Sequence, residues 1–523
     1  MSRTAFPLRS SPGARSRPPV IGRPWLATGA WLVATVLAAC GGGGAAGDAS
    51  NLALASSGSS SGTGSTSGSS TSGSSTSSGG TTSGGASGTP IATAGSCSTA
   101  TASASANRVI QADPSNYLAR VRALVAGDTL VLAPGTYDDS SDVPGLPLFD
   151  MIGTPTKPIV ITGPESGPRP VLLGRSTHNT VRLSNASYIV VRNLEIDGRD
   201  LGGAGVATQG LTHHVTIENL VIRGVGGDQQ VVGISTVGSP TWNWVICGNT
   251  IIGAGTGMYL GNSDGSDPFV AGLIERNLIR DTIGYNMQVK HQVDRPALDG
   301  MPTTPQRTVI RHNVFTKSGN SSTGSLARPN VLVGHFPLSG NGSSDRYEIY
   351  GNFFYQNPTE ALFQGEGNIA FYANVMVNDT GDAVNIQPHH DVPKAIDVFG
   401  NTVLARGSGV RITGGAAGYA QRAFGNAVFA ASPLSGGEQR DNVTASRASA
   451  ATYLNAPDAP LGSFDAFPRT GALRGTAIDV SPAADFTDFG KDFGGQSRDW
   501  TLRGAYAGEG ANPGWLPKLE IKP

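Results

Sequence analysis

The chain has 523 residues, of which 38% are hydrophobic, and its 38 acidic and 37 basic side chains nearly cancel. A formal net charge of −1 gives no electrostatic attraction for a polyanion, so we expect no nucleic acid partner. Only seven residues are Lys, so a functional Lys would stand out, and the 73 Gly residues indicate many turns or a flexible linker.

Residues 1–40 have the pattern of an export signal. A basic region that contains Arg3 and Arg23 precedes an apolar run, 25–39, which is too short to span a membrane. The run ends in Leu37-Ala38-Ala39-Cys40, which resembles the bacterial lipobox. The resemblance implies a lipid on Cys40 and a bacterial cell-envelope protein anchored to a membrane, the outer one by analogy. The alternative is a plain secretory signal with an incidental Cys.

Residues 41–99 are mainly Gly, Ser, Thr and Ala, with almost no charge or bulk. Such a segment cannot bury a core, so we predict a disordered tether with a reach of roughly 40 Å. Cys97 and Cys247 are the only cysteines besides Cys40. An exported protein can oxidise such thiols, but the sequence leaves their pairing open.

Short apolar runs punctuated by Pro and Gly follow, and they predict strands. They lie at residues 129–133, 158–162, 170–173, 180–183 and 188–191.

A repeat then extends from residue 192 to residue 429. Each copy is an Asn followed by two to four mostly apolar residues, and the copies are 22 to 39 residues apart. The repeated positions are Asn193, Asn219, Asn249, Asn277, Asn313, Asn352, Asn374, Asn401 and Asn426. No copy contains ten residues of helical periodicity, so the repeat predicts an all-β solenoid, a single right-handed parallel β-helix over residues 100–440.

The repeated Asn has a physical role in such a solenoid. At a turn its side chain tolerates a left-handed backbone, and its amide can bond the Asn of the coil above and below. We therefore predict a ladder of Asn side chains along the solenoid.

The segment from Tyr117 to Tyr137, with its Gly127-Asp128-Thr129 turn, is similar to the entry segment of the pectate-lyase-like superfamily, and closest to its chondroitinase B and alginate lyase group. The resemblance implies a short amphipathic helix that caps the first coil. Residues 441–523 depart from the repeat and resemble the irregular tail of such proteins, so we expect a C-terminal cap. We expect a monomer.

Aligning the strand that follows each Asn unit produces a polar column. The column contains Asn262, His291, His335, Glu366 and His389, with Lys290 beside it, and Asp264 and Asp391 two residues further on. Coils are about 4.8 Å apart, so the column would extend over roughly 19 Å. We interpret it as a groove walled by insertions at 294–306, 317–329 and 338–346. Polar strand ends that merely face solvent are the alternative.

The resemblance implies that the groove cleaves acidic polysaccharide by β-elimination, with a Lys as base, an Arg that assists and Ca²⁺ on the uronate carboxylate. Lys290 matches the Lys, and Arg328 or Arg311 the Arg. The expected acidic Ca²⁺ ligands are replaced by Asn262, Asn286 and Gln288, which puts Ca²⁺ in doubt. His335, Glu366, His291 and His389 complete the catalytic candidates, and the substrate-binding candidates are Asn262, Asp264, Tyr259, Gln288, Gln364, Gln387 and Asp391.

Three other functions remain open. Glu366 with Asp391 or Asp264 could hydrolyse glycosidic bonds. His291, His335 and Glu366 or His389 could bind a transition metal. A non-catalytic protein could bind glycans through exposed aromatic side chains, for which the candidates are Trp242, Trp244, Tyr259, Tyr285, Phe336 and Phe363.

Overall fold

The structure is a computed structural model that describes residues 107–138 and 142–523. The predicted export signal with Cys40, the tether at 41–99 and Cys97 lie outside the described residues. Cys247 is disulfide-bonded, and no other cysteine is among the described residues. No helix within 107–138 and 142–523 is long and apolar enough to cross a membrane.

The predicted parallel β-helix is confirmed by the strand pairing, because each strand pairs in parallel with its equivalent in the next coil. A coil passes through sheet I, then sheet II, then the turn that carries the repeated Asn, and then sheet III. Sheet I, which carries the predicted groove, contains β4 (Leu146–Phe149), β7 (Val181–Arg192), β9 (Val206–Glu218), β11 (Val232–Ser235), β15 (Thr256–Leu260), β19 (Met287–Val289), β22 (Val331–Val333), β25 (Phe363–Gly365), β28 (Val384–Ile386), β31 (Ser408–Ile412) and β34 (Ser432–Ser435).

Sheet II shares the long strands β7 and β9 with sheet I, so the two sheets are continuous there. Two short strands, β12 (Thr241–Trp242) and β16 (Phe269–Val270), extend β9 at the corner. The other strands of sheet II are β1 (Arg108–Ala112), β2 (Asp128–Leu132), β5 (Ile159–Thr162), β13 (Val245–Cys247), β17 (Leu273–Glu275), β20 (Arg307–Arg311), β23 (Arg346–Tyr350), β26 (Gly367–Tyr372), β29 (Pro393–Phe399), β32 (Gln421–Phe424) and β35 (Glu438–Arg440).

Sheet III has twelve strands, most of which follow a repeated Asn directly. They are β3 (Gly135–Tyr137), β6 (Pro170–Leu173), β8 (Glu195–Asp197), β10 (Val221–Arg223), β14 (Thr250–Ile252), β18 (Leu278–Arg280), β21 (Val314–Thr316), β24 (Phe353–Tyr355), β27 (Val375–Asn378), β30 (Thr402–Ala405), β33 (Ala427–Phe429) and β36 (Val443–Ala445). The runs at 180–183 and 188–191 were predicted as separate strands, but apart from Thr180 both belong to the single strand β7.

The interior of the solenoid is filled by the inward-facing residues of all three sheets, which form one apolar cluster. The predicted capping helix is α1 (Tyr117–Arg122), and it buries Tyr117 and Val121 against the first coil. The ring of Tyr117 packs edge-on against Tyr137, with 5.0 Å between ring centres. A helix at this end shields apolar side chains that the first coil would otherwise expose to water.

The predicted Asn ladder is confirmed over most of its length. From Asn249 to Asn401, each Asn Nδ2 donates to the Oδ1 of the next repeated Asn at 2.9–3.1 Å. The ladder ends one step beyond the predicted series, because Asn426 donates to Asn442. Asn219 donates back to Asn193, so the first two Asn form a pair of their own.

The predicted left-handed backbone belongs to a different residue in most coils. Asn193 and Asn219 have φ of +58° and +52° themselves, but from Asn249 onwards the preceding residue is left-handed. In these coils that position is occupied by Gly248, Arg276, His312, Gly351, Ala373, Gly400 and Gly425. The shift leaves the Asn in an ordinary backbone conformation, with its amide inside the solenoid and fully buried.

Beyond residue 445 the chain packs along the outside of sheets II and III. This segment contains α2 (Ala450–Tyr453), an antiparallel pair of strands, β37 (Leu454–Ala456) and β38 (Asp465–Pro468), and 3₁₀ turns at Arg447–Ser449 and Ser481–Ala483. A third 3₁₀ turn, Gly324–Leu326, lies in the insertion before β22. Phe486 and Trp500 cover a stack of aromatic rings on sheet II formed by Tyr350, Tyr372, Phe399 and Phe424. The clusters that this segment forms include residues of sheets II and III and none of sheet I, on which the predicted groove lies.

Candidate active-site groove

The floor of the groove is a column of outward-facing residues on sheet I. In the registered strands Tyr259 pairs with Gln288, Gln288 with Leu332, and Leu332 with Gln364. The column continues through Asn385 to Arg411. Alternate residues of a strand point to opposite faces, and the neighbours of this column, such as Met287 and Val289, are in the core. The floor is therefore largely polar, and it contains Gln288 and Gln364, two of the substrate-binding candidates.

The predicted polar column is wrong by one residue in its last two coils. The residue that follows Val331 in the column is Phe363, where the sequence predicted Leu362, and the next is Val384, where the sequence predicted Asn385. Ala361, Leu362 and Phe363 are all apolar and buried, so the sequence offered two starting points for the strand. A slip of one residue exchanges the two faces of a strand.

With the observed register, Glu366 is equivalent to Lys290 and Gln387. The backbone N–H groups of these three residues each donate to the strand residue of the preceding coil: Lys290 to Leu260, Glu366 to Val333, and Gln387 to Gly365. His291 and His335 remain equivalent to each other, and Gly367 and Pro388 occupy the corresponding positions in the next two coils. Lys290 and Glu366 therefore lie in one column, two coils apart.

Three imidazole rings gather at the edge of the floor. The ring of His291 stacks on His390 with 4.0 Å between centres, and the ring of His335 is 5.2 Å from His291. His335 is fixed by a 2.8 Å hydrogen bond between its Nδ1 and the carbonyl of Phe336. His390 was not among the predicted site residues, although the His-His-Asp run at 389–391 was the available signal. His389 is exposed and its ring contacts His390 edge-on.

Glu366 is a buried acceptor that shapes this edge. Its side chain is 1% exposed, and its carboxylate accepts backbone N–H groups from His389 at 2.9 Å, His390 at 3.0 Å and Asp391 at 2.9 Å. These bonds hold the turn at 389–391 over the groove. A buried carboxylate whose Oε2 accepts three backbone N–H groups is poorly placed to act as an acid or nucleophile, which weighs against the hydrolase alternative. Asp391 lies in the turn that Glu366 holds.

Lys290 is half-buried at the same edge, and its ammonium is 5.4 Å from the ring centre of Tyr259. Burial lowers the pKa of Lys290 below its usual range. Within 107–138 and 142–523, no carboxylate lies within 4 Å of its Nζ. A partly desolvated amine without an acidic partner loses its proton more readily than an exposed one, as a catalytic base must.

Arg328 reaches the groove from the insertion that precedes β22. Its guanidinium donates to the carbonyls of Ser325 and Ala327 at 2.9 and 2.7 Å and lies 5.9 Å from the ring of Tyr285. The carbonyl of Arg328 accepts from Lys317 Nζ and Asn357 Nδ2, each at 2.9 Å.

The charges of Lys290 and Arg328 both act on His389. Although His389 is solvent-accessible, the protein atoms around its ring partly desolvate it and lower its pKa; the charge of Glu366 opposes that shift, and the charges of Lys290 and Arg328 add to it. Lys290 and Arg328 are therefore both close enough to His389 to affect its titration. The structure thus places Lys290 and Glu366 in one column of sheet I, and Glu366 holds the turn that carries His389.

Arg311, the alternative to Arg328, does not lie in the groove. It is at the end of β20 on sheet II, where its Nε donates to Glu275 at 2.6 Å and its Nη1 to the hydroxyl of Tyr350 at 3.0 Å. Asp488 of the covering segment lies 3.4 Å from it. Sheets I and II face different directions, so a residue on one cannot serve a groove on the other.

The remaining predicted residues line or border the groove. Asn262 donates to Ser266 and Asp264 accepts from Ser266, within a turn that packs beside the ring of His291. Gln364 donates to Glu360, and Gln387 accepts from Arg411. Of the aromatic candidates for glycan stacking, Trp242, Trp244, Phe336 and Phe363 are buried, whereas Tyr259 and Tyr285 are partly exposed. Most of these aromatic side chains are therefore not accessible to a glycan.

The residues around Lys290 do not fit Ca²⁺. The three positions in question carry the neutral amides of Asn262, Asn286 and Gln288, whereas Ca²⁺ sites are rich in carboxylates. Asn286 is fully buried and donates to Thr282 and to the carbonyl of Thr316. The described part of the chain also contains no group of three or more His, Cys, Asp and Glu side chains arranged to hold a metal ion. The arrangement predicted from His291, His335 and Glu366 or His389 is thus not formed as a ligand set.

The buried His291 predicts that the stability of the protein depends on pH. Burial, followed by the charges of His390, His335 and Lys290, lowers the pKa of His291 to about 4, against an unfolded value near 6.5. Between these values the unfolded chain binds the proton more tightly, so the free energy of unfolding should fall as the pH falls. We expect His291 to account for about 3 kcal/mol of that loss.

The measurement is denaturant unfolding between pH 7 and pH 4 for the wild type and His291→Gln. The variant should lose less stability over this interval than the wild type, because the neutral amide does not titrate. Equal slopes for the two proteins would show that His291 is not held neutral in the folded state.

No family model and no curated protein matches the chain. The structure is similar to those of an alginate lyase from Paenibacillus sp. str. FPU-7 (TM-score 0.30, 15% identity, 65% of this chain and 98% of that one) and pectate lyase Pel9A (0.35, 13%, 78% and 97%). It is also similar to a GH136 lacto-N-biosidase from Eubacterium ramulus (0.36, 14%, 65% and 68%). The assignment of this chain as a parallel β-helix is based on its own strand pairing.

Proposed function

We propose that the protein is an exported, lipid-anchored enzyme that cleaves acidic polysaccharide by β-elimination in the groove on sheet I. One observation carries the proposal. Lys290 is partly desolvated, has no acidic partner within the described residues, and shares the surroundings of His389 with Arg328. An amine that can lose its proton, with a guanidinium whose charge acts on the same His389, is suited to a reaction that removes a proton next to a carboxylate.

In the proposed reaction the amine of Lys290 removes the proton from the carbon α to the uronate carboxylate. The electron pair of that C–H bond forms a carbon–carbon double bond as the adjacent glycosidic C–O bond breaks. Lys290 is then an ammonium, and it donates its proton to the leaving oxygen. Arg328 stabilises the negative charge that develops on the carboxylate, a role that needs no metal ion.

The alternatives receive less support from the same residues. Hydrolysis requires two available carboxylates, and Glu366 is occupied by three backbone donors. A glycan-binding protein without catalysis would expose aromatic faces, and four of the six candidates are buried. Elimination requires only a base and a cationic group, which Lys290 and Arg328 provide.

Product analysis on alginate, polygalacturonate and a chondroitin polymer tests the proposal. We expect one of them to give products that absorb in the ultraviolet as unsaturated uronates, and a chelator to leave the rate unchanged. New reducing ends without unsaturation would identify a hydrolase. Binding without any cleavage would identify a binding protein.

The anchoring belongs to the same proposal and is supported by the sequence around Cys40, which resembles a lipobox. Two or more acyl chains give stable membrane attachment, so the full chain should fractionate with bacterial membranes. Cys40→Ser should move it to the soluble fraction. A variant that stays with the membranes would contradict lipid anchoring at this residue.

A further inference from the structure

A second cavity lies around the corner from the groove, on the outer face of sheet II. Its volume is about 300 Å³, and its lining includes Leu338, Ser344, Asn368, Lys394, Tyr419 and Phe486. None of the predicted catalytic or substrate-binding residues lines it, but the insertion at 338–346, predicted to wall the groove, contributes Leu338 and Ser344 to this cavity instead. A cavity of this size can hold a compact group such as one sugar unit.

The cavity contains a buried cation that lacks a counter-charge. Lys394, in β29, is 8% exposed, and its Nζ makes a single hydrogen bond in the described structure, a long one of 3.4 Å to the carbonyl of Leu338. No carboxylate of the described residues lies within 4 Å of it. A buried ammonium with so few partners is costly unless an anion joins it.

The other charged residues that line the cavity, Asp397 and Arg346, are already paired. Asp397 accepts from Arg422 Nε at 2.7 Å, and Arg346 Nη2 donates to Asp485 at 2.5 Å. These pairs neutralise each other, so the remaining charge of the cavity is the positive charge of Lys394. An anionic ligand is therefore favoured over a neutral or cationic one.

Tyr419 provides a flat apolar face at the mouth of the cavity. It is 48% exposed, and its ring centre is 5.7 Å from the Nζ of Lys394. The loop that carries it is held by Gln421, whose Nε2 donates to the carbonyls of Tyr419, Ala416 and Lys394. An exposed aromatic ring on a fixed loop beside a cation suits a ligand that has both an apolar face and an anionic group.

The cavity is close to the groove in the fold. Lys394 is three residues after Asp391, whose turn Glu366 holds over the groove, and the insertion that contains Leu338 follows His335. We propose that this cavity is a second saccharide site, which binds one carboxylate-bearing sugar unit with Lys394 on the carboxylate and Tyr419 against the ring. The choice of an acidic saccharide rests on the proposed function.

The experiment measures the affinity for alginate and polygalacturonate in a Lys290→Ala background, so that the polymer persists. Lys394→Met keeps the aliphatic stem and removes the charge, and Tyr419→Ala removes the ring from an exposed position. We expect each substitution to raise the Kd for the bound polymer about tenfold, since a hydrogen bond to a charged group is lost in the first and a stacking face in the second. Lys491→Met, at an exposed lysine, should leave the Kd unchanged.

Two outcomes overturn the proposal: an unchanged Kd in both variants, or equal binding of a neutral polysaccharide. Because Tyr419→Ala changes only a partly exposed side chain, it remains informative even if Lys394→Met fails to fold. The proposed function fails separately. A protein that gives no unsaturated product, but whose binding of acidic polymer depends on Lys394, lacks the elimination activity and retains the second site.

Discussion

Lys290→Ala is expected to lower the rate of elimination about 10³-fold, with little change in the affinity for the polymer. Positioned general bases contribute about 10²–10⁴-fold to a rate, and the amine of Lys290 has a lowered pKa and no acidic partner in the described residues. Removing it leaves the floor of Gln288 and Gln364 and the guanidinium of Arg328 in place. The rate of unsaturated product formation, with Kd measured separately, gives the result.

The control is Lys157→Met, which removes an exposed lysine far from the groove and should leave the rate within a factor of two or so. If Lys290→Ala has the melting temperature of the wild type, its lower rate is due to the loss of the amine and not to unfolding. A variant that retains most of the wild-type rate would rule out Lys290 as the base and leave His389 as the nearest alternative.

Asn352→Ala should cost about 3–5 kcal/mol of stability, the largest expected effect of a substitution outside the groove. The amide of Asn352 accepts the backbone N–H and the Nδ2 of Asn313 and donates to the carbonyl of Ile310, all inside the solenoid. Alanine would leave these buried groups unpaired, and each buried group that loses its partner costs about 1–3 kcal/mol. Denaturant unfolding of the purified domain measures the loss.

An asparagine outside the ladder provides the comparison. Asn341 is exposed in the insertion before β23, and Asn341→Ala should change the stability by no more than about 0.5 kcal/mol. If both variants lost the same small amount, the ladder would be a consequence of stacking and not a source of stability.

Local signals in the sequence predicted the fold well because every coil repeats them. The recurring Asn, the short apolar runs and the Gly-rich turns specify a strand–turn–strand unit, and stacking such units is the way to bury their apolar faces. The Asn ladder follows from the same repetition, since equivalent residues of adjacent coils lie directly above one another. The repeat alone did not reveal that, in most coils, the residue before the Asn adopts the left-handed backbone conformation.

The site was predicted less completely because it depends on the exact register between coils. The slip at Leu362 and Phe363 placed Glu366 in the wrong column and concealed its role as the acceptor that holds 389–391. Arg311 and Arg328 looked equivalent in the sequence, and only the separation of sheets I and II distinguishes the groove residue from the buried ion pair with Glu275.

The sequence by itself determined the solenoid, its interior and the side chains available for chemistry, because these depend on spacing within a coil. The tertiary structure alone decided which side chains meet, because residues 21 to 44 positions apart become neighbours only when the coils are in register. It also decided that Lys394 is buried without a counter-charge, since its surroundings come from the insertion at 338 and the loop at 419. Contacts between distant segments carry no periodic signal, and this is the physical reason that the second cavity could not be read from the sequence.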